Sequence, residues 1–321
     1  MFTWDLGKRA LSLAAIAAAA ALMPASIGHA AVVVNDTWLD GTDSDPAAPT
    51  YSENGVDADA DGNIESVWFQ GGVGTLDPVG LGGPLRGNMT AGGTTSATWT
   101  TYATPEASPI TLAQGDTVRV TWKFALTNVN AGNTSQNFRL AFVDSPSASR
   151  ISANGTPGNA AYTGYAMFMN MSPTLGNSNP FRLMERDGTT AALLSASTPP
   201  WTPLANGATT GNHGYDNGVE YTYTMDITRN ALDGLDIVST MSGGTLDNDG
   251  TAQVVFTDAT PNGGSFTFDT FAIRPSGATT TAELFDTSLF QVEHIVPEPS
   301  SLALLGFGAL AALRRRRQTQ A

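Results

Sequence analysis

Between residues 117 and 126 apolar and polar side chains alternate without a break. Val118, Val120, Trp122, Phe124 and Leu126 fall on one side, and Thr117, Arg119, Thr121 and Lys123 on the other. Residues 220–229 repeat the pattern, with Tyr221, Tyr223, Met225 and Ile227 opposed by Thr222, Thr224, Asp226 and Thr228. A period of two with one apolar face marks a strand half-buried in an antiparallel sheet. Weaker versions predict strands at 32–39, 66–70, 96–102, 137–143, 164–171, 180–185, 235–241, 252–257, 265–274 and 288–295, separated by turn clusters such as Asn230-Ala231-Leu232-Asp233-Gly234 and Pro261-Asn262-Gly263-Gly264. Sustained helical periodicity is absent from residues 31 to 295. The reading is all-β: one antiparallel two-sheet jelly-roll sandwich over 31–295. A solenoid is the alternative, and no fixed-period repeat supports it. Trp38, Trp68, Trp99 and Trp122 in strand contexts, and the alternating Met167, Met169 and Met171, are read as core.

The two ends follow other rules. Lys8 and Arg9 precede an uncharged apolar run over 10–23 that Pro24 breaks, and Gly28-His29-Ala30 places small residues for cleavage before Ala31. This is the form of a secretory signal peptide over 1–30, helical until signal peptidase removes it. At the other end, Val296-Pro297-Glu298-Pro299 leads through Ser300-Ser301 into an apolar stretch, 302–313, and then Arg314-Arg315-Arg316-Arg317. As a helix that stretch spans only about 18 Å, against a hydrocarbon core of roughly 30 Å, so it predicts a transient transmembrane helix and a poor permanent anchor. The arginines hold the tail on the cytoplasmic side. Pro297 and Pro299 keep the backbone around Glu298 extended and open to an enzyme.

This three-part tail, 296–321, resembles the PEP-CTERM sorting signal of bacterial exported proteins. The resemblance implies recognition of Pro297, Glu298 and Pro299 by a membrane-embedded exosortase, with Arg314–317 as the basic end. It also implies export from a Gram-negative cell that makes exopolysaccharide or biofilm matrix. The body is similar, by pattern alone, to the concanavalin-A-like lectin and glucanase group, in which a tyrosine-rich strand, an acid-glycine turn and a second strand recur, as at 221–229, Asp233-Gly234 and 235–241.

Charge and cysteine content narrow the partners. From residue 31 to Pro299 the chain holds nine basic and 28 acidic side chains, a field that repels nucleic acid and anionic lipid. There are no cysteines, so an exported body does without disulfides and relies on its core, bound ions or both.

Candidate chemistry concentrates in the segment from Asp36 to Asp77, which has ten carboxylates and no basic residue. Within it, Asp57, Asp59, Asp61, Gly62, Asn63 and Glu65 follow the first nine positions of a calcium loop: oxygens at one, three and five, glycine at six, a carbonyl at seven. Trp68 stands where position twelve would supply a bidentate glutamate, so the expectation is an extracellular loop whose shell is completed by Asp36, Asp40 or Asp43. Asp247-Asn248-Asp249-Gly250 reads as a plain hairpin turn.

For catalysis, retaining glycosidases need two carboxyls about 5–5.5 Å apart. Glu185 and Asp187 are the nearest approach to such a pair, and Gly188 after them reads as a strand entering a turn. His213 and His294 lack the company of a triad or a metal set. Trp201, Tyr162, Tyr165 and Tyr215 lie in loop-rich sequence, where exposed rings would stack on sugar faces.

The expectation is therefore a non-enzymatic exported protein of the cell surface, outer envelope or extracellular matrix, tethered at the inner membrane before processing. Its body is structural or carbohydrate-binding, with extracellular polysaccharide as partner and calcium as cofactor. The alternatives are a glycan-cleaving enzyme of the same fold and a calcium-stabilised adhesin.

Overall fold

In a computed structural model that describes residues 29–44, 51–195, 199–207 and 209–297, the strand pattern becomes seventeen strands. They are β1 (His29–Asp36), β2 (Trp68–Gly72), β3 (Thr75–Pro78), β4 (Leu85–Asn88), β5 (Ala97–Tyr102), β6 (Ile110–Thr111), β7 (Thr117–Val129), β8 (Phe138–Asp144), β9 (Thr163–Met169), β10 (Phe181–Asp187), β11 (Trp201–Asn206), β12 (Glu220–Arg229), β13 (Leu235–Ser242), β14 (Thr251–Asp258), β15 (Thr267–Phe268), β16 (Thr270–Arg274) and β17 (Ala282–Val296). One sheet runs β14-β13-β12-β7-β17-β4-β3, with β1 also paired to β17, and a second runs β11-β10-β9-β8-β16-β5-β2. The small pair β15-β6 stands apart. Residues Ala30–Ile295 form one compact unit. Of the terminal segments only His29, Val296 and Pro297 are described, so the expected signal-peptide helix and C-terminal apolar helix lie outside the described residues. Among the described residues no helix is long and apolar enough to cross a membrane.

The core is the layer between the two sheets. β7 turns Val118, Val120, Trp122, Phe124 and Leu126 inward, and β12 adds Tyr221, Tyr223, Met225 and Ile227. Facing them are Phe138, Leu140 and Phe142 of β8, Met167 and Met169 of β9, and Phe271 and Ile273 of β16. Rings interlock rather than merely touch. Trp122 stacks on Phe124 at 4.0 Å, and Trp68 meets Phe290 edge-on at 5.1 Å, with Phe271 beside both. The four strand tryptophans and the three methionines are all buried, as expected.

The second sheet departs from the one-wet-face expectation. β8, β9 and β16 are buried on both faces, because Tyr162, Leu193, Leu194 and Trp201 form a second apolar layer over Ala141, Val143, Ala166, Phe168 and Ala272. Arg186, fully buried, ties the covering loop down: its guanidinium donates to the carbonyls of Ala160, Thr189, Ala191, Ala192 and Leu193. The guanidinium thus supplements the Ala160↔Ala191 bridge that anchors this loop to its neighbour, and gives the carbonyls of Thr189 and Ala192 a donor.

Every stretch expected as a strand is one, and 265–274 divides into β15 and β16. Four further strands carry little pattern. β3 and β11 are edges and contain Pro78 and Pro203, β6 has two residues, and β4 contains Gly87. β17 begins well before residue 288. The register shifts between Thr287 and Leu289, so the buried positions move from Phe285 and Thr287 to Phe290 and Val292. A bulge changes the phase of alternation, which hides the first half of the strand from a period-two reading.

Gly87 is where a close approach requires glycine, since a Cβ there would lie 2.1 Å from the Trp99 ring. Gly87→Ala is expected to destabilise the sandwich by about 1–3 kcal/mol, the range for overpacking, in denaturant unfolding followed by tryptophan fluorescence. An unchanged midpoint would show that the ring moves aside freely.

Candidate functional site

Residues 51–66 leave the sheets as a loop pinched at its neck by the antiparallel bridge Ser52↔Ser66 and joined to β1 by the bridge Asn35↔Ile64. Gly55 N–H donates to Val33 O (3.1 Å) and Glu53 N–H to Glu65 O (3.2 Å), so the loop is laced to β1 and across its own arms. Its tip is made of aspartates that hold the backbone. Asp57 accepts from the N–H groups of Ala60 (2.6 Å) and Gly62 (3.0 Å), Asp59 from Asp61 (3.1 Å), and Asp61 from Asn63 (2.7 Å). Gly62, at φ +99°, makes the reversal that position six of such a loop requires.

The loop gathers its acids into one place. One carboxylate oxygen from each of Glu53, Asp59 and Glu65 lies within 4.8 Å of the other two, and the same holds for Asp57, Asp59 and Asp61. Glu53 is held by two backbone donors, Ala58 N–H (2.6 Å) and Glu65 N–H (2.9 Å). Glu65 is only 2% exposed, and neither of its carboxylate oxygens, nor Oδ2 of Asp61, has a hydrogen-bond partner. Burial, reinforced by Asp61, Glu53 and Asp36, pushes the Glu65 carboxyl up to about 9. The Asn63 side chain faces elsewhere, its Oδ1 accepting from the Thr37 hydroxyl (3.0 Å).

One expectation about this loop needs correction. Asp36, Asp40 and Asp43 do not join the oxygen cluster. Asp36 is buried, accepts the Trp38 N–H (2.9 Å) and is pushed up to about 8 by desolvation, while Asp40 accepts both the N–H and the hydroxyl of Thr42. The carboxylate that does join is Glu53, from the opposite arm. Its one trace in the sequence is the mirrored Ser52-Glu53 and Glu65-Ser66, which pair only once the neck has formed. Trp68, at position twelve, points into the core.

The remaining candidates resolve differently. Trp201, Tyr162, Tyr165 and Tyr215, expected as exposed stacking rings, are core rings instead. Trp201 donates to Leu193 O (3.0 Å) and packs on Phe168; Tyr162 and Trp201 both lie against the Arg186 guanidinium; Tyr165 donates to Asp258 (2.7 Å); Tyr215 packs on Phe138 and Tyr221. Loop-rich sequence placed them under the second apolar layer or between the sheets, so no ring face is offered to a sugar.

Glu185 is nearly buried and lies beside Asp258, a residue remote in sequence, rather than forming a pair with Asp187. Burial, opposed by the Asn262 N–H (2.7 Å) and aided by Asp258, pushes Glu185 up to about 7. Asp187 caps the following turn by accepting the Thr189 N–H (2.8 Å). His213 is bonded to Asp216 (2.8 Å) and His294 to Asp116 (3.1 Å). Asp247, in the turn between β13 and β14, accepts the N–H groups of Thr210 and Gly211.

At the ends of the chain, Ala30 and Ala31 are exposed at the start of β1, and Pro297 follows directly on β17. Gly28, Glu298, Pro299 and Arg314–317 lie outside the described residues. Residues 296–317 match the PEP-CTERM protein-sorting motif. No curated protein matches the chain. Solved structures similar to it include the exoplasmic/lumenal domain of VIP36 in a Ca2+/Man2-bound form, at 12% identity over 75% of this chain and 86% of that one, TM-score 0.44. A Lotus tetragonolobus seed lectin is similar at 11% identity over 72% and 94%, TM-score 0.41. The Emp47p carbohydrate recognition domain is similar at 13% identity over 70% and 87%, TM-score 0.39. The PEP-CTERM motif marks the chain as an exported protein that passes the membrane through the sorting system.

Glu185 supplies a test of the buried-carboxyl geometry. Its folded value is raised, so the native state keeps a proton that the unfolded chain has released. Stability contributed by that proton is complete below about 4.5 and is lost as pH rises toward about 7. Glu185→Gln is expected to flatten this fall by on the order of 2 kcal/mol, in denaturant midpoints measured across that window with chelator present. Parallel curves for the two proteins would show that Glu185 titrates normally.

Proposed function

We propose that the chain is the cargo of its own sorting signal: a non-catalytic β-sandwich delivered to the cell surface or extracellular matrix, where it serves as a structural or carbohydrate-contacting component. The layout is a signal peptide over 1–30, the sandwich over 31–295 and the sorting segment over 296–321. Signal peptidase removes the first. An exosortase acts on the last through Pro297, Glu298 and Pro299, while the apolar stretch and Arg314–317 hold the tail in the membrane.

The observation that carries this reading is the continuity of β17 with the motif. The strand ends at Val296, where the motif begins, and it pairs with β7 along most of its length. No residue separates the last strand of the sandwich from the start of the motif. The strongly acidic surface favours neutral or cation-bridged polysaccharide over polyanions as a contact. Calcium is the cofactor of this reading, and it makes a calcium-stabilised adhesin the second reading, favoured by the buried, unpartnered Glu65 carboxylate among the loop acids.

The test is the intact mass of the protein recovered from cell surface and medium. A chain that begins at Ala31 and has lost the segment after Pro299 is expected, and replacing Pro297, Glu298 and Pro299 with alanine should leave the tail attached. Recovery of the full-length chain from the cytosol would overturn the proposal. Failure of the recovered protein to bind any polysaccharide at millimolar ligand would remove the carbohydrate contact alone.

A further inference from the structure

The acids of the 51–66 loop present a problem that nothing else in the protein solves. Five carboxylates, Glu53, Asp57, Asp59, Asp61 and Glu65, share one small region, and the segment from Asp36 to Asp77 has no basic side chain. Among the described residues no ion pair reaches any of the five. Exposed acids in such a cluster are solvated by water. Glu65 is not exposed: it is 2% accessible, both its oxygens lack a partner, and one of them lies within 4.8 Å of oxygens of Glu53 and Asp59. A buried carboxylate without a donor or a counter-charge is among the costliest groups a fold can keep. The backbone nevertheless brings it there deliberately, since the Glu65 N–H holds the Glu53 carboxylate in place.

We propose that Glu53, Asp59 and Glu65 hold a calcium ion, with Asp57 and Asp61 completing its oxygen shell on the solvent side. The donor set is all carboxylate, without histidine or cysteine, which selects a hard cation over zinc or copper. Calcium takes six to eight oxygens in irregular arrangements and accepts both oxygens of one carboxylate, whereas magnesium demands a near-ideal octahedron and keeps its waters. Asp59 and Asp61 each spend one oxygen on a loop N–H, which preorganises the other toward the ion, while Asp57 fixes the tip with both of its oxygens. Glu53 supplies from the opposite arm the carboxylate that Trp68, committed to the core, does not.

The ion is a clasp. Glu53 and Glu65 stand on the two arms of the loop, just inside the Ser52↔Ser66 bridge. The same loop is fastened to β1 by the Asn35↔Ile64 bridge and the Gly55–Val33 hydrogen bond. Neutralising Glu65 in place therefore stabilises the first strand of the exported body, and does so where calcium is abundant. This deepens the calcium part of the proposed function and is independent of glycan contact.

The test is calorimetric titration of the protein recovered from cells and stripped with chelator, using calcium chloride as the probe. Binding in the range of about 10⁻⁴–10⁻³ M, typical of extracellular modules, is expected. At tenfold excess over Kd the Tm should rise by about 3–5 °C. Glu65→Gln and Asp59→Ala should weaken binding at least about tenfold, the loss of one charged ligand. Glu65→Gln should also leave the metal-free Tm equal or higher, because an acid crowded by Glu53 and Asp59 is replaced by a neutral side chain of the same size, which separates loss of a ligand from loss of fold. Asp249→Asn, in the turn before β14, should keep the wild-type affinity. Absence of a calcium response in the wild type, an equal response to magnesium, or wild-type affinity in both loop variants would overturn the assignment. A calcium response in a protein that binds no polysaccharide would sink the glycan contact and leave the site standing.

Discussion

A sheet of aromatic rings pressed between two β-sheets holds this protein together without one covalent cross-link. Trp122, Phe124, Phe138, Phe285 and Phe290 sit where the central strands β7 and β17 face β8 and β16, and each contacts at least one other ring. Fully burying one such side chain contributes about 1.5–3 kcal/mol. That layer has to offset the ordering of many glycine-rich turns. The dependence explains the features around it: Gly87 exists to admit Trp99, and the Trp122 indole finds its donor's partner in Thr287 at the point where β17 bulges.

The second constraint is electrostatic. Several carboxylates of this acidic chain end inside, among them Asp36, Glu65, Glu185, Asp247 and Asp269. Where a basic group is available the buried acid is paired, as in Arg150–Asp269 at 2.7 Å with both side chains 2% exposed. Elsewhere an acid is held by backbone N–H groups, as Asp247 is, or keeps its proton to higher pH, as Glu185 does beside Asp258. In the 51–66 loop, backbone N–H groups hold Glu53, Asp57, Asp59 and Asp61, and Glu65 is left buried with neither oxygen hydrogen-bonded. The proposed calcium clasp would link stability to location, since that ion is scarce in the cytoplasm and plentiful outside.

Legibility in the sequence followed the physics of each element. Strands with one wet face announced themselves because alternation is the pattern such strands require, as in β7 and β12. Short edges such as β3 and β11 did not, because two or three inward positions make no period. The first half of β17 was hidden by a phase change of one residue. Among the candidate residues, Asp57, Asp59 and Asp61 were visible as a local spacing. Glu53 was invisible, because its role depends on an antiparallel neck that joins Ser52 to Ser66. The loop aromatics were misread for the same reason: Trp201 and Tyr162 sit in glycine- and proline-rich sequence, and only the folded covering layer shows that they are interior.

The chain by itself determined the class of fold and the address. Both are written in contiguous residues, the fold as period-two alternation and the address as a proline-flanked acid, an apolar run and four arginines that match the sorting motif at 296–317. Tertiary structure alone decided which acids meet, which rings are buried twice over, and which carboxylate is left without a partner. Those facts concern residues far apart in sequence, and they arise only when strand pairing sets the distance between them.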